Sequence, residues 1–392
     1  MQGQRVLIAA ISFVLLLTIG SANRLPAADA VVKVGAVQAT KGVLSKAFLE
    51  INAGLKDSLT IANKEGGVNG KKIQYIMKET HYKVDESKEK FDEIIREHNP
   101  LAMFGNSTGL GKAIAEKIKN TYKILYTSTS FSAALADAPM YPSIFVPGPT
   151  YGDQMGILLM HIAKTKPKAR VALFYSSTAF GKDPIPFARL MAKRLQLKLV
   201  SEQVVKLGTK EVANEVVDLK KAAPDFVIFQ GFVMEPVPTV IRMCRELGMT
   251  CKFMGTFWTA NKTVLDLLGP LAEGYMVVNP YAYWSDEKSP MIRKIRAYNA
   301  ENYPDVTYRY NTYMEGFAAG LLLVETLRRA DTAGALNYDG LVKALKTLKN
   351  VDTGGLTAPL TIVNNRFPTA RVYEADAAKG MYVPRSEWLT LR

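Results

Sequence analysis

The chain alternates short apolar runs with amphipathic stretches, and this alternation constrains its fold more than any other feature. Runs such as "VKVGAV" (residues 32–37) have the length and β-branched content of buried strands. Stretches such as "AFLEINAGLKDSLTIANKE" (residues 47–65) carry apolar residues at helical spacing and end at a Gly-Gly pair. Repeated strand–helix–strand units imply parallel strands, because each helix returns the chain to the same end of the sheet. The pattern predicts an α/β fold with helices on both faces of a parallel sheet.

The alternation restarts near "IFVPGPTYGDQMG" (residues 144–156), where a second series of strands and helices begins. "GYMVVNPYAYW" (residues 274–284) then predicts a crossing strand, residues 290–347 are largely helical in pattern, and the tail is strand-like with turns. Two α/β lobes with more than one crossing follow, and the cleft between them is the expected ligand site because the strands of both lobes end there. The predicted lobes are residues 31–147 with 279–350, and residues 148–278 with 351–392.

The first 30 residues have the pattern of a secretory signal peptide. Arg5 precedes an apolar run from Val6 to Ile19, which is shorter than the roughly 20 residues of a membrane-spanning helix. Ala28-Asp29-Ala30 fits a small-x-small cleavage site, so the mature chain is expected to start near Val31. An uncleaved N-terminal anchor is the alternative.

The formal charge of the whole chain is +14, and it becomes +13 when Arg5, Arg24 and Asp29 leave with the signal peptide. The basic residues are scattered through amphipathic helices and form no arginine-rich tract with interleaved aromatics, so nucleic acid is not an expected partner. They form either a solvated basic surface or a field that attracts anionic ligands.

Only two cysteines occur, Cys244 and Cys251. An exported protein can form disulfides, and this pair would link a helix end to the start of the next strand. A free pair is the alternative. No histidine lies near either cysteine, so a metal site there is not expected.

"GNSTGLGK" (residues 105–112) contains the serine-hydrolase pattern G-x-S-x-G around Ser107. That chemistry needs a histidine base later in the chain, oriented by an acid. Only His161 follows Ser107, inside a predicted helix of the second lobe, with Asp137 and Asp153 as the acids between them. The pattern is therefore not expected to be a nucleophile, and no catalytic residue is predicted.

The same stretch also resembles a phosphate-binding P-loop but fails its spacing. Five residues instead of four separate Gly105 from Gly111, and Ala113 replaces the Ser or Thr that holds magnesium. No His, Cys and acidic residues cluster at metal-ligand spacing, so neither a metal nor a cofactor is expected.

Two hydroxyl-rich strand ends remain as candidate polar contacts. A predicted strand ends at Phe104, and Ser107, Thr108 and Gly109 lie at the N-terminus of the following helix. The next strand ends in "TSTS" (residues 127–130). Hydroxyls and N–H groups at a helix N-terminus favour a carboxylate or another anion. Plain helix capping is the alternative for each of these side chains.

The order of several longer motifs resembles a known family. "INAGLKDSLTIANKEGGVNGKKIQYI" (residues 51–76) is the most specific of them. It is followed in order by "FGNSTG", "ILYTSTS", "VALFYSSTAFGKD", "PDFVIFQGF", "CKFMGTFWTAN", "AEGYMVVNP" and "YMEGFAAGLLLVETLRRA". Over residues 31 to 365 the chain resembles the leucine/isoleucine/valine-type periplasmic binding proteins of ABC transporters.

This resemblance implies a type I periplasmic binding protein: two Rossmann-like lobes with parallel sheets flanked by helices, joined by three hinge crossings. It also implies a periplasmic protein that is not an enzyme. Such a protein closes on a small-molecule ligand and delivers it to an ABC transporter permease in the membrane. A monomer is expected.

The resemblance assigns the polar end of the ligand to residues after the third and fourth strands, where the family holds a carboxylate. These residues are Ser107, Thr108, Gly109, Ser128, Thr129 and Ser130. Phe131 stands where the family is expected to have a hydroxyl.

The family's partner for a ligand ammonium is an acidic residue just after the "FMG" strand, and this chain has Thr256-Phe257-Trp258-Thr259 there. An ammonium left without a carboxylate in a closed cleft costs several kcal/mol. A zwitterionic amino acid is therefore disfavoured.

Aromatic residues indicate the other end of the ligand. Phe180 and Phe232 match places where the family often has Tyr against the ligand. With Phe131, Phe257 and Trp258 they predict a mostly apolar site for an aromatic or branched apolar ligand with one carboxylate. Core packing is the alternative for each ring. Tyr281, Tyr283 and Trp284 lie near the predicted crossing, either in the cleft or in hinge packing.

Three other functions stay open on sequence alone. They are a ligand sensor that reports to a membrane receptor, a classical branched-chain amino acid binder, and a serine hydrolase at Ser107.

Overall fold

The structure is a computed structural model that describes residues 31–42 and 44–391. The predicted signal peptide, residues 1–30, lies outside the described residues. Among the residues described, no helix combines the length and the apolar character that crossing a membrane requires.

The first sheet has the strand order β2-β1-β3-β4-β5, and every pairing in it is parallel. Its strands are β1 (Val31–Gln38), β2 (Lys72–Glu79), β3 (Ala102–Gly105), β4 (Leu125–Ser128) and β5 (Ile144–Phe145). The helices between them are α1 (Ser45–Lys64), α2 (Val84–His98) and α3 (Thr108–Lys117), which continues as a π-helical turn (Ile118–Tyr122). Each predicted strand–helix unit of this half is confirmed.

The second sheet has the order β12-β11-β10-β9-β8-β6-β7, with β13 beside β11. Its strands are β6 (Arg170–Ser176), β7 (Lys198–Val205), β8 (Phe226–Gln230), β9 (Lys252–Gly255), β10 (Met276–Asn279), β11 (Thr369–Asp376), β12 (Met381–Pro384) and β13 (Leu389–Thr390). Strands β6 to β10 are parallel, and the strand-like tail joins them antiparallel. Its helices are α4 (Tyr151–Thr165), α5 (Ala179–Lys182), α6 (Ile185–Arg194), α7 (Ala213–Ala222), α8 (Val237–Glu246) and α9 (Lys262–Leu268).

The second sheet is buried on both faces. Along β6, Phe174 packs in one hydrophobic cluster, and its neighbours Leu173 and Tyr175 pack in another. Successive side chains point to opposite faces of a strand, so a near-continuous apolar run buries both faces beneath helices. This explains why the strands of this chain read as unbroken apolar runs.

Three further helices follow β10: α10 (Pro290–Asn302), α11 (Asn311–Thr332) and α12 (Tyr338–Lys346). Helix α11 packs against α1 so closely that a Cβ on Gly316 would lie 2.0 Å from the Ile51 carbonyl oxygen. A Cβ on Gly54 would lie 2.0 Å from the carbonyl oxygen of Tyr313. The absence of side chains at both glycines lets the two backbones touch.

The chain passes between the two sheets three times. The passages follow β5, β10 and α12, and the last leads back to β11. The predicted α/β architecture with two halves and three crossings is confirmed. The boundaries at residues 147, 278 and 350 stay a prediction; Leu356 and Leu360 pack in the hydrophobic cluster that contains α11.

Two predicted strand ends need adjustment, and the structure selects between the two alternatives for the cysteine pair. The predicted strand "CKFMGTFW" stops at Gly255, and residues Phe257–Thr259 form a 3-10 turn. The crossing strand stops at Asn279. Cys244 and Cys251 are both buried as free thiols, and burial raises the pKa of Cys244 to about 12.

Candidate functional site

The hydroxyl groups after β3 and β4 meet at the carboxyl edge of the first sheet. The two strands are parallel neighbours, with Gly105 paired to Ser128. The Ser107 N–H donates to Thr129 Oγ1 at 3.1 Å. Thr108 Oγ1 and Ser130 Oγ lie 2.8 Å apart. The structure therefore brings together the two polar strand ends that the sequence analysis selected.

Ser107 combines helix capping with an unusual backbone. Its Oγ accepts a hydrogen bond from the Leu110 N–H at 3.0 Å, so it is the N-cap of α3. Its φ is 61° and its ψ is 145°, a region that is close to glycine-only. Strain of this kind costs about 1–3 kcal/mol and concentrates at functional sites.

The aromatic cluster consists of Phe131, Tyr151, Phe180, Phe257 and Trp258. Phe131 follows β4, and its ring centroid lies 5.2 Å from that of Phe257, which follows β9. Trp258 lies 5.7 Å from Phe180, which in turn lies 5.2 Å from Tyr151. All five residues are buried. Rings attached to both sheets thus meet in one cluster.

Phe232 does not join the aromatic cluster, which corrects the sequence analysis. It is fully buried in a core of the second half, with its ring 5.9 Å from that of Phe174. Gly231 has a φ of 82° and turns the chain after β8. Val233, the residue after Phe232, lines the inner cavity described below. Successive side chains of an extended segment point to opposite sides, so only one of these two neighbours faces the cleft.

An inner cavity of about 230 Å³ lies between the polar strand ends and the aromatic cluster. Its lining residues carry hydroxyl, aromatic or aliphatic side chains and no formal charge. They are Leu44, Phe48, Tyr82, Ser107, Thr108, Thr129, Tyr151, Phe180, Val233 and Trp258. The other predicted residues lie outside this lining. Gly109 is in the first turn of α3, and the remaining ones are buried: Ser128, Ser130, Phe131 and Phe257.

Sequence reasoning missed Tyr82 and Tyr151, which both line the inner cavity. Tyr82 comes shortly after β2, and its φ of 65° is rare for a bulky residue. Its position after a parallel strand was a usable signal, because such positions meet at the ligand edge. Tyr151 begins α4 directly after the first crossing.

Two tyrosine hydroxyls near the cavity stay neutral. Burial raises the pKa of Tyr151, although hydrogen bonds with Phe131 and Thr108 lower it in part. Burial, and then the nearby Glu315, raises the pKa of Tyr281. The Trp258 Nε1–H donates to the Tyr151 hydroxyl oxygen at 3.2 Å. That contact leaves the Tyr151 hydroxyl proton able to donate to a ligand oxygen.

Glu315 is the acidic residue that contributes to the raised pKa of Tyr281. It lies on α11 with no exposed surface, and neither carboxyl oxygen has a hydrogen-bond partner within the described chain. Burial raises its pKa well above the ordinary value of 4.5. The raised pKa favours the neutral carboxyl group, which is a poor counter-charge for a cation.

A second, outer cavity of about 900 Å³ adjoins the inner one. Leu44 and Val233 line both cavities. The other lining residues of the outer cavity are Lys46, Ala47, Glu50, Leu207, Gly208, Lys210, Met234, Glu235, Asn261, Thr263, Tyr310 and Thr312. They come from α1, from the loops after β7 and β8, from the start of α9 and from the start of α11.

The two halves touch directly beside the cavities. Lys112 of α3 forms an ion pair with Asp183 at 2.6 Å, and Ser132 donates its hydroxyl hydrogen to the same carboxylate. On the other side, the Asn311 amide of α11 donates to the Phe257 carbonyl at 3.1 Å. These polar contacts join the first sheet's helices to the segments that follow β6 and β9.

The serine and histidines considered for catalysis have other roles in the structure. Ser107 Oγ caps α3, and His81 Nδ1 lies 2.9 Å from Glu86. His161 lies in α4. Burial, and then the charge of Lys252 in β9 of the second sheet, lowers the pKa of His161. Within residues 31–42 and 44–391, no three His, Cys, Asp or Glu side chains come together as a metal site.

Comparisons with known proteins agree with this architecture. The family model described as "Periplasmic binding protein" matches residues 31–380. The Leu/Ile/Val-binding protein of Escherichia coli K12 is 22% identical over 293 residues, which cover 74% of this chain and 79% of that protein.

Two solved structures extend the likeness over nearly the whole chain. A branched chain amino acid ABC transporter protein from Thermus thermophilus with bound valine has a TM-score of 0.84 at 23% identity, covering 92% of this chain and 97% of its own. A fatty acid ABC transporter substrate-binding protein from Thermomonospora curvata has a TM-score of 0.81 at 19% identity, covering 93% of each chain.

Proposed function

Because the chain belongs to the periplasmic binding protein family of ABC transporters, we propose that it binds a small apolar carboxylate in its cleft. The body of the ligand is aromatic or branched apolar, and the closed complex is presented to a membrane permease. The observation that carries this proposal is the inner cavity, which joins hydroxyls at a helix N-terminus to aromatic rings without a formal charge.

The residues at the polar end of the inner cavity suit a ligand carboxylate. Ser107 and Thr108 lie at the N-terminus of α3, where unpaired backbone N–H groups and the helix dipole favour negative charge. Thr108 and Ser130 share one hydrogen bond, so one of the two hydroxyl protons is available to a ligand oxygen. Tyr151 adds a neutral hydroxyl on the same cavity wall.

The opposite end supports an apolar body. Phe180 and Trp258 form one wall of the inner cavity, and Phe48 lies 6.3 Å from Trp258. Burying an apolar group against such rings contributes roughly 25 cal/mol per Å² of surface removed from water. An ammonium group there loses its hydration and gains no opposite charge.

A free branched-chain amino acid is the second candidate. The names of the relatives favour it, since the matched proteins are Leu/Ile/Val binders and one structure holds valine. Against it, the inner cavity has no acidic lining residue. Of the two acids that line the outer cavity, Glu50 is engaged by Arg309 at 3.2 Å, and Glu235 accepts a hydrogen bond from the Thr239 hydroxyl at 2.8 Å.

We propose that ligand binding stabilises the closed arrangement. A ligand that touches Thr108 in one half and Trp258 in the other favours the state in which both contacts exist. The contact between Lys112 and Asp183 adds to the same state. In this proposal the protein acts as a monomer and performs no chemistry on its ligand, with Ser107 serving as a helix cap and a hydrogen-bonding group.

The test is a thermal-shift and calorimetry screen of the purified mature protein. Small aromatic and branched apolar carboxylates should raise the melting temperature, with little effect from leucine or valine. Thr108→Val should weaken carboxylate binding roughly tenfold through the lost hydrogen bond. Thr165→Val, an exposed threonine bonded to its own helix, is the matched control. Strong stabilisation by free leucine or valine would overturn the proposal in favour of an amino acid.

A further inference from the structure

We propose that the ligand is longer than the inner cavity and that its apolar chain continues into the outer cavity. Within the proposed class of apolar carboxylates, the preferred ligand is then an elongated amphiphile whose apolar body continues as a chain beyond the inner cavity, rather than a compact acid. This inference rests on the proposed function, because it takes the carboxylate end to lie at Ser107 and Thr108.

The two cavities adjoin each other. Leu44, at the start of α1, and Val233, after β8, line both of them. These residues come from opposite halves of the protein, so they form a neck between the two spaces.

The inner cavity is much smaller than the outer one, as expected if the first holds the carboxylate end of the ligand and the second holds its apolar chain. A cavity needs roughly 10–15 Å³ of space for water centres to hold one water molecule. Measured in that way, the inner cavity offers about 10 Å³ and the outer cavity about 240 Å³. The inner cavity therefore has room for one water-sized polar group, such as a carboxylate oxygen, and the space for the rest of the ligand lies outside the neck.

The outer walls suit a hydrocarbon. Ala47, Leu207 and Met234 are apolar, and Met234 leaves 38% of its surface exposed. The Glu50 carboxylate is turned to Arg309 and to the Tyr310 N–H, so the wall near it is made by its side-chain stem. An apolar chain in this space removes exposed carbon from water on both halves at once.

The charges at the rim agree with a single anionic group. Lys46 and Lys210 are exposed and come from the two halves, and neither forms an ion pair within the described part of the chain. Lysines at the mouth of a cleft raise the local concentration of anions and speed their entry. Once bound, the carboxylate lies in the inner cavity and the chain lies beneath the rim.

The experiment is a calorimetric series of straight-chain monocarboxylates from about four to about ten carbons, kept below their micelle concentrations. In the unmodified mature protein the affinity should rise roughly fourfold per methylene once the chain passes the neck. A double variant, Met234→Gln with Leu207→Gln, should flatten this dependence and leave the shortest acids unchanged. Met140→Gln with Leu190→Gln, two exposed apolar residues outside the cavities, should retain the steep dependence.

The outcomes separate the two proposals. If short or compact acids bind and longer chains bind no better, the outer cavity holds no chain and the inference alone fails. The same conclusion follows if the double variant and the unmodified protein show equal slopes. If no carboxylate of any length binds, the proposed function fails together with the inference.

Discussion

Ser107 offers a test in which two small substitutions should move stability in different directions. Its Oγ caps α3, and its backbone holds a φ of 61° and a ψ of 145°. Ser107→Ala removes the cap and keeps the strain. Ser107→Gly removes the cap and releases the strain, because glycine adopts this region without a Cβ clash.

The magnitudes follow from these two features. Loss of the cap in Ser107→Ala costs about 1 kcal/mol. In Ser107→Gly the loss of the cap costs a few tenths of a kcal/mol, and the larger entropy of the unfolded chain costs about 0.5–1 kcal/mol. The released strain stabilises the folded state by about 1–3 kcal/mol. The free energy of unfolding of the glycine variant should therefore be about 1–3 kcal/mol higher than that of the alanine variant, and near or above that of the unmodified protein.

Urea denaturation of the three proteins measures these differences. Ser289 provides the matched control, because it caps α10 by accepting from the Ile292 N–H at 3.2 Å with an ordinary φ of −70°. At that site glycine and alanine should differ by less than about 1 kcal/mol. Equal stability of Ser107→Gly and Ser107→Ala would refute the strain argument. Both variants should also bind the carboxylate more weakly, since neither has the hydroxyl.

Three further changes test other parts of the molecule. Burial keeps Glu315 protonated in the folded protein above its ordinary pKa of 4.5, whereas the unfolded chain releases that proton. Stability should then fall as pH rises from that value, by about 1.4 kcal/mol per pH unit up to the folded pKa, and urea titrations should show that Glu315→Gln removes the slope. An unchanged slope would mean that Glu315 is not the group responsible. Gly316→Ala should lower the free energy of unfolding by about 2 kcal/mol or more, because its Cβ would meet the Ile51 carbonyl oxygen. Gly152→Ala is the control: its Cβ would lie 3.5 Å from Phe187, so it should be nearly neutral in the same denaturation assay. Asp183→Asn removes the ion pair with Lys112 and should weaken ligand affinity about fivefold. Small-angle scattering should show that the ligand-free variant is more open than the unmodified protein. A variant that is equally compact and binds with full affinity would show that this ion pair does not stabilise the closed arrangement.

Much of the site could be predicted from local sequence. Ser107, Thr108 and Thr129 follow strands whose apolar runs are unmistakable, and parallel strands end at a common edge. Phe180 and Trp258 were selected through the family resemblance, and both line the inner cavity. Their role in ligand binding stays a prediction.

Other site features lay beyond such reasoning. Phe232 and Val233 are adjacent apolar residues after β8, and only the turn at Gly231 decides which one faces the cleft. Glu315 sits in a helix whose pattern does not reveal that its carboxyl group is fully buried without a partner. The outer cavity joins loops that lie far apart in the chain, so no local pattern marks it.

The sequence by itself determined the class of this protein. The alternation of apolar runs and amphipathic helices requires parallel sheets, and the restart near residue 144 requires a second one. These are short-range properties, because strand and helix periodicity are set by residues within one or two turns of each other. Only the tertiary structure decided how the two halves meet: that Phe131 touches Phe257, that Lys112 reaches Asp183, and that Leu44 and Val233 form a neck between two cavities. Those contacts depend on the packing of segments more than 50 residues apart, as between Lys112 and Asp183, and no periodicity along the chain encodes them.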